Sequence, residues 1–151
     1  MPREPRATGL TILSPREASI FACVVDTYCA PAGAFPPVRE TDAAFYADEL
    51  MACSPRLNRA GFRAMLHAVE LAPLATPHRA RLRRLAPEQR REFALGLDRS
   101  RHLPGRALGR MLKLVATLAY YGDEGVLASL GYDPEAKLAR GRELRAREGR
   151  P

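Results

Sequence analysis

Tryptophan is absent from this chain, and Phe and Tyr together contribute only ten residues. A core must therefore come mostly from Leu, Ala and Val. Val, Ile and Thr never cluster in alternating runs, which removes the main signal for a half-buried sheet. Ala and Leu are strong helix formers, so the class that follows is all-α. Cysteine is sparse as well. Cys23, Cys29 and Cys53 form no CxxC pair and no metal-type spacing, and an odd, unpatterned set fits thiols packed in a reducing compartment. No uninterrupted apolar stretch approaches the ~20 residues that a membrane span needs. The opening MPREPRATGLTILS has no apolar run that could serve as a secretory core, and Arg3 and Arg6 are not adjacent. Cytoplasmic placement is the expectation.

What is present is arginine. The net charge is +7, from 24 basic and 17 acidic residues, and all but two of the basic residues are Arg. The excess is local: residues 78–113 hold eleven basic and three acidic residues. Such a band suits an acidic protein surface, nucleic acid or an anionic membrane; the plain alternative is arginine on solvated helix faces. Nucleic-acid binding is not expected. Phe93 is the single aromatic residue in the band, which leaves little for base stacking. The helix that follows Pro104-Gly105 is also too apolar to read a major groove.

Start and stop signals divide the chain. A flexible lead-in over 1–12 gives way to a helical domain over 13–134, followed by a charged tail over 135–151 that reads as a frayed helix or disordered. Ser14-Pro15-Arg16-Glu17 is a capping box with proline at the first helical position. It opens a helix to about Cys29 that carries Phe21, Val24, Val25 and Tyr28. Ala30–Pro37 is too rich in Pro and Gly for regular structure. Thr41 or Asp42 is placed to cap a helix with Phe45, Tyr46, Leu50 and Met51. Ser54-Pro55 starts another, with Leu57, Phe62, Met65, Leu66 and Val69 along one side. A basic, helix-compatible piece (HRARLRRL) precedes a helix from Pro87 through Phe93, Leu95 and Leu97. The most apolar helix, about 106–121, has Leu108, Met111, Leu112, Val115, Leu118 and Ala119 in register. It reads as a central helix buried on much of its circumference, with about six helices in all. Gly122 is placed as a left-handed cap, Asp123 as the N-cap of a short helix, Gly131 as its left-handed stop, and Pro134 as a block to continuation.

Catalytic constellations do not assemble. GRALGR around Gly105 and Gly109 follows no strand and lacks the P-loop lysine. His67, His78 and His102 form no HExxH and have no carboxylate pair at helical spacing; His67 reads as a core or boundary histidine. Cys29 at a helix C-terminus is a poor nucleophile, because the dipole there raises thiol pKa, and Cys53 reads as a small buried hydrophobe. Asp48 and Glu49 read as a solvated helix face. Tyr120 and Tyr121 read as core and boundary residues. No catalytic, cofactor-binding or metal-binding residue is assigned.

Four landmarks in order resemble the gluconate 2-dehydrogenase subunit 3 family, and the N-terminal region of long-chain fatty alcohol oxidases. They are LSPRE at Leu13–Glu17, LAPEQRREF at Leu85–Phe93, the apolar helix ending AYYGDE, and LGYDP at Leu130–Pro134. Together they span about 120 residues of the chain, and the YYGDE…LGYDP ending is the specific part. Members of that family tend to carry a bulky aromatic in the short helix, where this chain has Val126-Leu127, and periplasmic members carry a twin-arginine leader. The resemblance implies an accessory subunit of a GMC-type, FAD-dependent oxidoreductase acting on CH–OH groups. The FAD and the catalytic residues would belong to the large flavoprotein subunit, and this chain would bind no cofactor of its own.

Overall fold

The computed structural model describes residues 9–29 and 33–147. Residues 1–8 of the expected lead-in, 30–32 of the expected loop and 148–151 of the expected tail lie outside them. Among the described residues there are seven α-helices and no strand, an all-α architecture. The helices are α1 Pro15–Cys29, α2 Ala43–Ala52, α3 Arg56–Leu71, α4 Pro87–Asp98, α5 Leu103–Tyr121, α6 Glu124–Ser129 and α7 Pro134–Arg147. Single 3-10 turns occur at Val38–Glu40, Ala72–Ala75 and Leu82–Arg84. The HRARLRRL piece thus supplies one turn and no α-helix, whereas the tail is helical through Arg147.

Local chemistry explains most of the helix ends. Glu17 Oε2 accepts from both the Ser14 amide and hydroxyl at 2.8 Å, and the Glu17 amide donates to Ser14 Oγ at 3.3 Å, a reciprocal box at the start of α1. Asp123 Oδ1 accepts from the Gly125 and Val126 amides and caps α6. Gly131 has φ +63°. Its amide donates to Ala128 O, and the Tyr132 amide reaches back to Leu127 O at 2.9 Å, which completes a Schellman stop.

Three expected caps are not made. Neither Thr41 nor Asp42 caps α2 through its side chain: the Thr41 hydroxyl donates back to Val38 O, and Asp42, at the N-cap position, makes no side-chain cap bond. Gly122 has φ −81°, so it is not left-handed; glycine suits this site because an added Cβ would stand 2.8 Å from Leu118 O and 3.1 Å from the Tyr46 ring. The Ser54 hydroxyl donates back to Leu50 O and does not cap α3.

α1 and α5 form the most extensive helix pair; α2 and α4 pack on both, and α3 packs chiefly on α1. The centre is therefore shared, and α5 alone does not hold it. Ile20, Phe21, Val24 and Val25 of α1 meet Leu112, Val115, Ala116 and Ala119 of α5 in one buried core. Phe21 packs edge-on against Phe62 of α3, with ring centroids 5.7 Å apart.

Three carboxylates are buried and each ties distant segments together. Asp48 accepts from the backbone amides of Thr11, Ile12 and Leu13 and from the Thr11 hydroxyl, all within 2.9 Å. That overturns two expectations. Asp48 is not on a solvated face, and the lead-in is anchored from Thr11 onward, because a buried carboxylate must find donors and this segment supplies them. Glu17 also binds Arg63 Nε of α3 at 2.8 Å, and Glu70 binds the Arg83 amide and Nε.

α2 turns inward a face that its large residues mark only in part: Met51 is on it, and Tyr46 and Leu50 are not. It buries Ala43, Ala47, Asp48 and Met51, and leaves Tyr46 and Leu50 exposed. Small residues let α2 approach α1 and α5 closely, while Asp48 must point at the amides of residues 11–13. On α3, Leu57 departs from its expected side and is 83% exposed.

Candidate docking surface

The groups with chemical potential are committed to structure. The Glu17 carboxylate gathers Arg63 Nε at 2.8 Å and His67 Nε2 at 3.1 Å, joining α1 to α3. Burial pushes its pKa up, but hydrogen bonds from Arg63 and Ser14 and the Arg63 charge outweigh it and hold the group near 2, below its ordinary 4.5. His67 is thus a boundary residue facing a carboxylate. His78 approaches Glu92 at 3.8 Å, and His102 is exposed at the start of α5. Among the described residues no group of three or more His, Cys, Asp or Glu could hold a metal ion.

Two of the thiols, Cys29 and Cys23, are held away from the thiolate form. Burial raises the Cys29 pKa to about 11, and its Sγ lies 3.7 Å from Ala116 O. Burial also raises that of Cys23, against the opposing effect of a hydrogen bond from Arg90 at 3.1 Å. Cys53 is exposed, contrary to its expected burial: it ends α2 on the solvent side. Tyr120 is buried and donates to Pro36 O at 2.7 Å, pinning the loop before α2, while Tyr121 is exposed and packs edge-on against it.

The unusual surface is on α5. Its buried side carries Gly109, Leu112, Val115, Ala116, Ala119 and Tyr120. Its other side carries a second apolar row that is not covered. Met111 is 45% exposed, Leu114 52%, Leu118 49% and Tyr121 41%. The expected burial on much of the circumference holds for one side only, because the fold closes over that side and leaves the other open. These four residues recur at alternating three- and four-residue steps, and Ala107, also exposed, extends the series one step back. That is the spacing of a seam on which a second helix can lie. Arg110 and Lys113 flank the seam from the exposed quadrant, and neither pairs with a carboxylate among the described residues.

Just past the last seam residue, Tyr121, the end of α5 meets α2. Gly122 brings the Tyr46 ring against the end of α5. Phe45, Tyr46, Ala119 and Gly122 line an open-sided hollow of about 210 Å³ together with the acidic residues Asp42, Glu49, Asp123 and Glu124. Asp123 is already engaged there: besides capping α6, its Oδ2 accepts from the Asp42 amide at 2.9 Å.

The basic band is partly spent inside the fold. Arg83 binds Glu70, Arg90 pairs with Asp26 at 3.3 Å, and Arg106 donates to the Ser100 carbonyl. No helix among the described residues is long and apolar enough to cross a membrane. No protein-family model, no curated protein and no solved structure matches this chain.

Proposed function

We propose that this chain is a non-catalytic accessory subunit that packs against and stabilises a GMC-type FAD-dependent oxidoreductase acting on alcohols or sugars. The observation that carries the reading is the uncovered side of α5. Four large apolar side chains in a row, each 41–52% exposed, are costly to leave in water and mark a surface meant for another protein. Their position supports the same reading, because the seam ends within the AYYGDE segment, one of the landmarks on which the family resemblance rests. The flavin and the catalytic groups are assigned to the large subunit, and the small one contributes a helical surface.

The alternative, a small basic nucleic-acid-binding protein, has only the band at 78–113 in its favour. Arg83, Arg90 and Arg106 of that band are engaged within the chain.

Co-expression with a GMC-type flavoprotein encoded beside it tests the proposal. A stable heterocomplex is expected, together with a flavoprotein that loses solubility or activity when expressed alone. A flavoprotein fully stable and active alone, with no co-purification, overturns the proposal.

A further inference from the structure

The seam also specifies what kind of element covers it. We infer that the open side of α5 seats an amphipathic helix of the partner flavoprotein, lying along α5 with its apolar stripe on Met111, Leu114, Leu118 and Tyr121 and its acidic residues facing Arg110 and Lys113. The inference rests on the accessory-subunit reading and deepens it by naming the partner's element and its chemistry.

Geometry selects a helix. A seam stepping by three and four residues stays in line with a second helix over several turns, and side chains of one insert between those of the other. From Ala107 to Tyr121 the seam is ~21 Å long at the rise of an α-helix, room for about four turns of a partner. An extended segment gains most from pairing with an open sheet edge, and the described residues contain no strand.

Charge selects the flank. Arg110 and Lys113 stand beside Met111 and Leu114 without an acidic partner among the described residues, and Thr117 continues that flank without charge. A carboxylate-bearing flank on the incoming helix meets them favourably, and a cationic one is repelled. This argues against a second copy of the chain. Two α5 helices packed antiparallel about a two-fold axis bring the same flank of each together, Arg110 side against Arg110 side.

The test uses the co-expressed pair and the isolated chain. For the wild type, the complex is expected to form and to loosen as salt rises, since exposed charge pairs are screened. The double variant Leu114→Asp/Leu118→Asp should lower recovery of the complex at least tenfold, while the isolated chain keeps its helical circular dichroism and urea midpoint. Should that variant lose helix, the milder Leu114→Gln carries the test, with a smaller loss in the same direction. Arg110→Glu/Lys113→Glu should weaken the complex several-fold, and Arg110→Lys should leave it close to wild type.

Each contrary result has a definite reading. A complex that forms normally but ignores both seam variants overturns the inference and leaves the accessory role standing. Seam sensitivity without any response to charge reversal overturns the acidic flank. An isolated chain that is dimeric by light scattering, and monomeric as Leu114→Asp, shows a second copy on the seam and overturns the assigned occupant. Absence of a wild-type complex removes the accessory role and the inference with it.

Discussion

The two sides of α5 are made of the same material and meet different fates. Leu112, Val115 and Ala119 face α1 and vanish from solvent, while Met111, Leu114 and Leu118 lie on the same turns and stay half exposed. Leucine therefore does two jobs on one helix. On the closed side it is sealed in the core, and on the open side it stays half in solvent. α2 repeats the division in miniature. Its closed side is Ala43, Ala47, Asp48 and Met51, and its open side has Tyr46 and Leu50. The lesson is that the placement of neighbouring helices, and not the residue type, decides which apolar side of a helix is closed.

The sharpest way to break this comparison is to remove the same atoms from both sides. Leu112→Ala should cost ~2–5 kcal/mol, since it opens a cavity in a fully closed site. Leu114→Ala in the isolated chain should fall within ~0.5 kcal/mol of wild type. Urea unfolding of both variants checks the pair. A large loss for Leu114→Ala would show that something in the chain already covers the seam.

Asp48 tests the closed side of α2. Its carboxylate accepts three backbone amides and a hydroxyl, so Asp48→Ala leaves donors stranded and should cost ~1–3 kcal/mol. Leu50→Ala, two positions on and exposed, should be near neutral. Hydrogen exchange at residues 11–13 should accelerate in the Asp48 variant and remain unchanged in the Leu50 variant.

Acid provides a third probe. Burial raises both carboxyl pKa values, but the stronger effect of donated hydrogen bonds, from Arg63 and Ser14 to Glu17 and from Leu13, Thr11 and Ile12 to Asp48, lowers both. A group whose folded pKa is depressed contributes stability above its unfolded pKa and loses it as pH falls through the folded value. For Glu17 that window runs from about 4.5 down to about 2. The urea midpoint should therefore drop across this range, and Glu17→Gln should flatten the drop while being less stable than wild type at neutral pH. An equally steep acid drop in Glu17→Gln would assign the effect to other carboxylates.

How much of this was legible in the sequence depended on the range of the interaction. Ser14 with Glu17, Asp123 with Gly125, and Gly131 with Tyr132 are contacts within a few residues, and pattern alone placed them. Asp48 with Leu13 and Glu17 with Arg63 are separated by 35 and 46 residues. Nothing local distinguishes such a carboxylate from one on a solvated face, so the anchoring of the lead-in was missed. The inward side of α2 was legible only in part: size and hydrophobicity pointed to Tyr46 and Leu50 as well as Met51, but Ala43, Ala47 and Asp48 share the inward side with Met51. The open seam was hidden by its own composition. Periodicity puts Met111 and Leu118 in register with Leu112, and only the placement of α1, α2 and α4 shows that one side is left uncovered.

The smallest expected effect separates the two tasks of Asp123, which sits where the closed core meets the end of the seam. One oxygen caps α6 through Gly125 and Val126, and the other holds the Asp42 amide at the start of α2. Asp123→Ala removes both and should cost ~0.5–2 kcal/mol, the usual range for a lost N-cap. Asp123→Asn keeps one carbonyl oxygen, and asparagine is as good an N-cap as aspartate. It should retain the α6 cap and release only the Asp42 amide, because its amide nitrogen cannot accept that bond. Hydrogen exchange then discriminates: Asp42 should lose protection in both variants, while Val126 should lose it only in Asp123→Ala. If Asn leaves Asp42 protected, the tie between α2 and the end of α5 rests on the packing of Tyr46 against Gly122, and the seam's far end is fixed by shape alone.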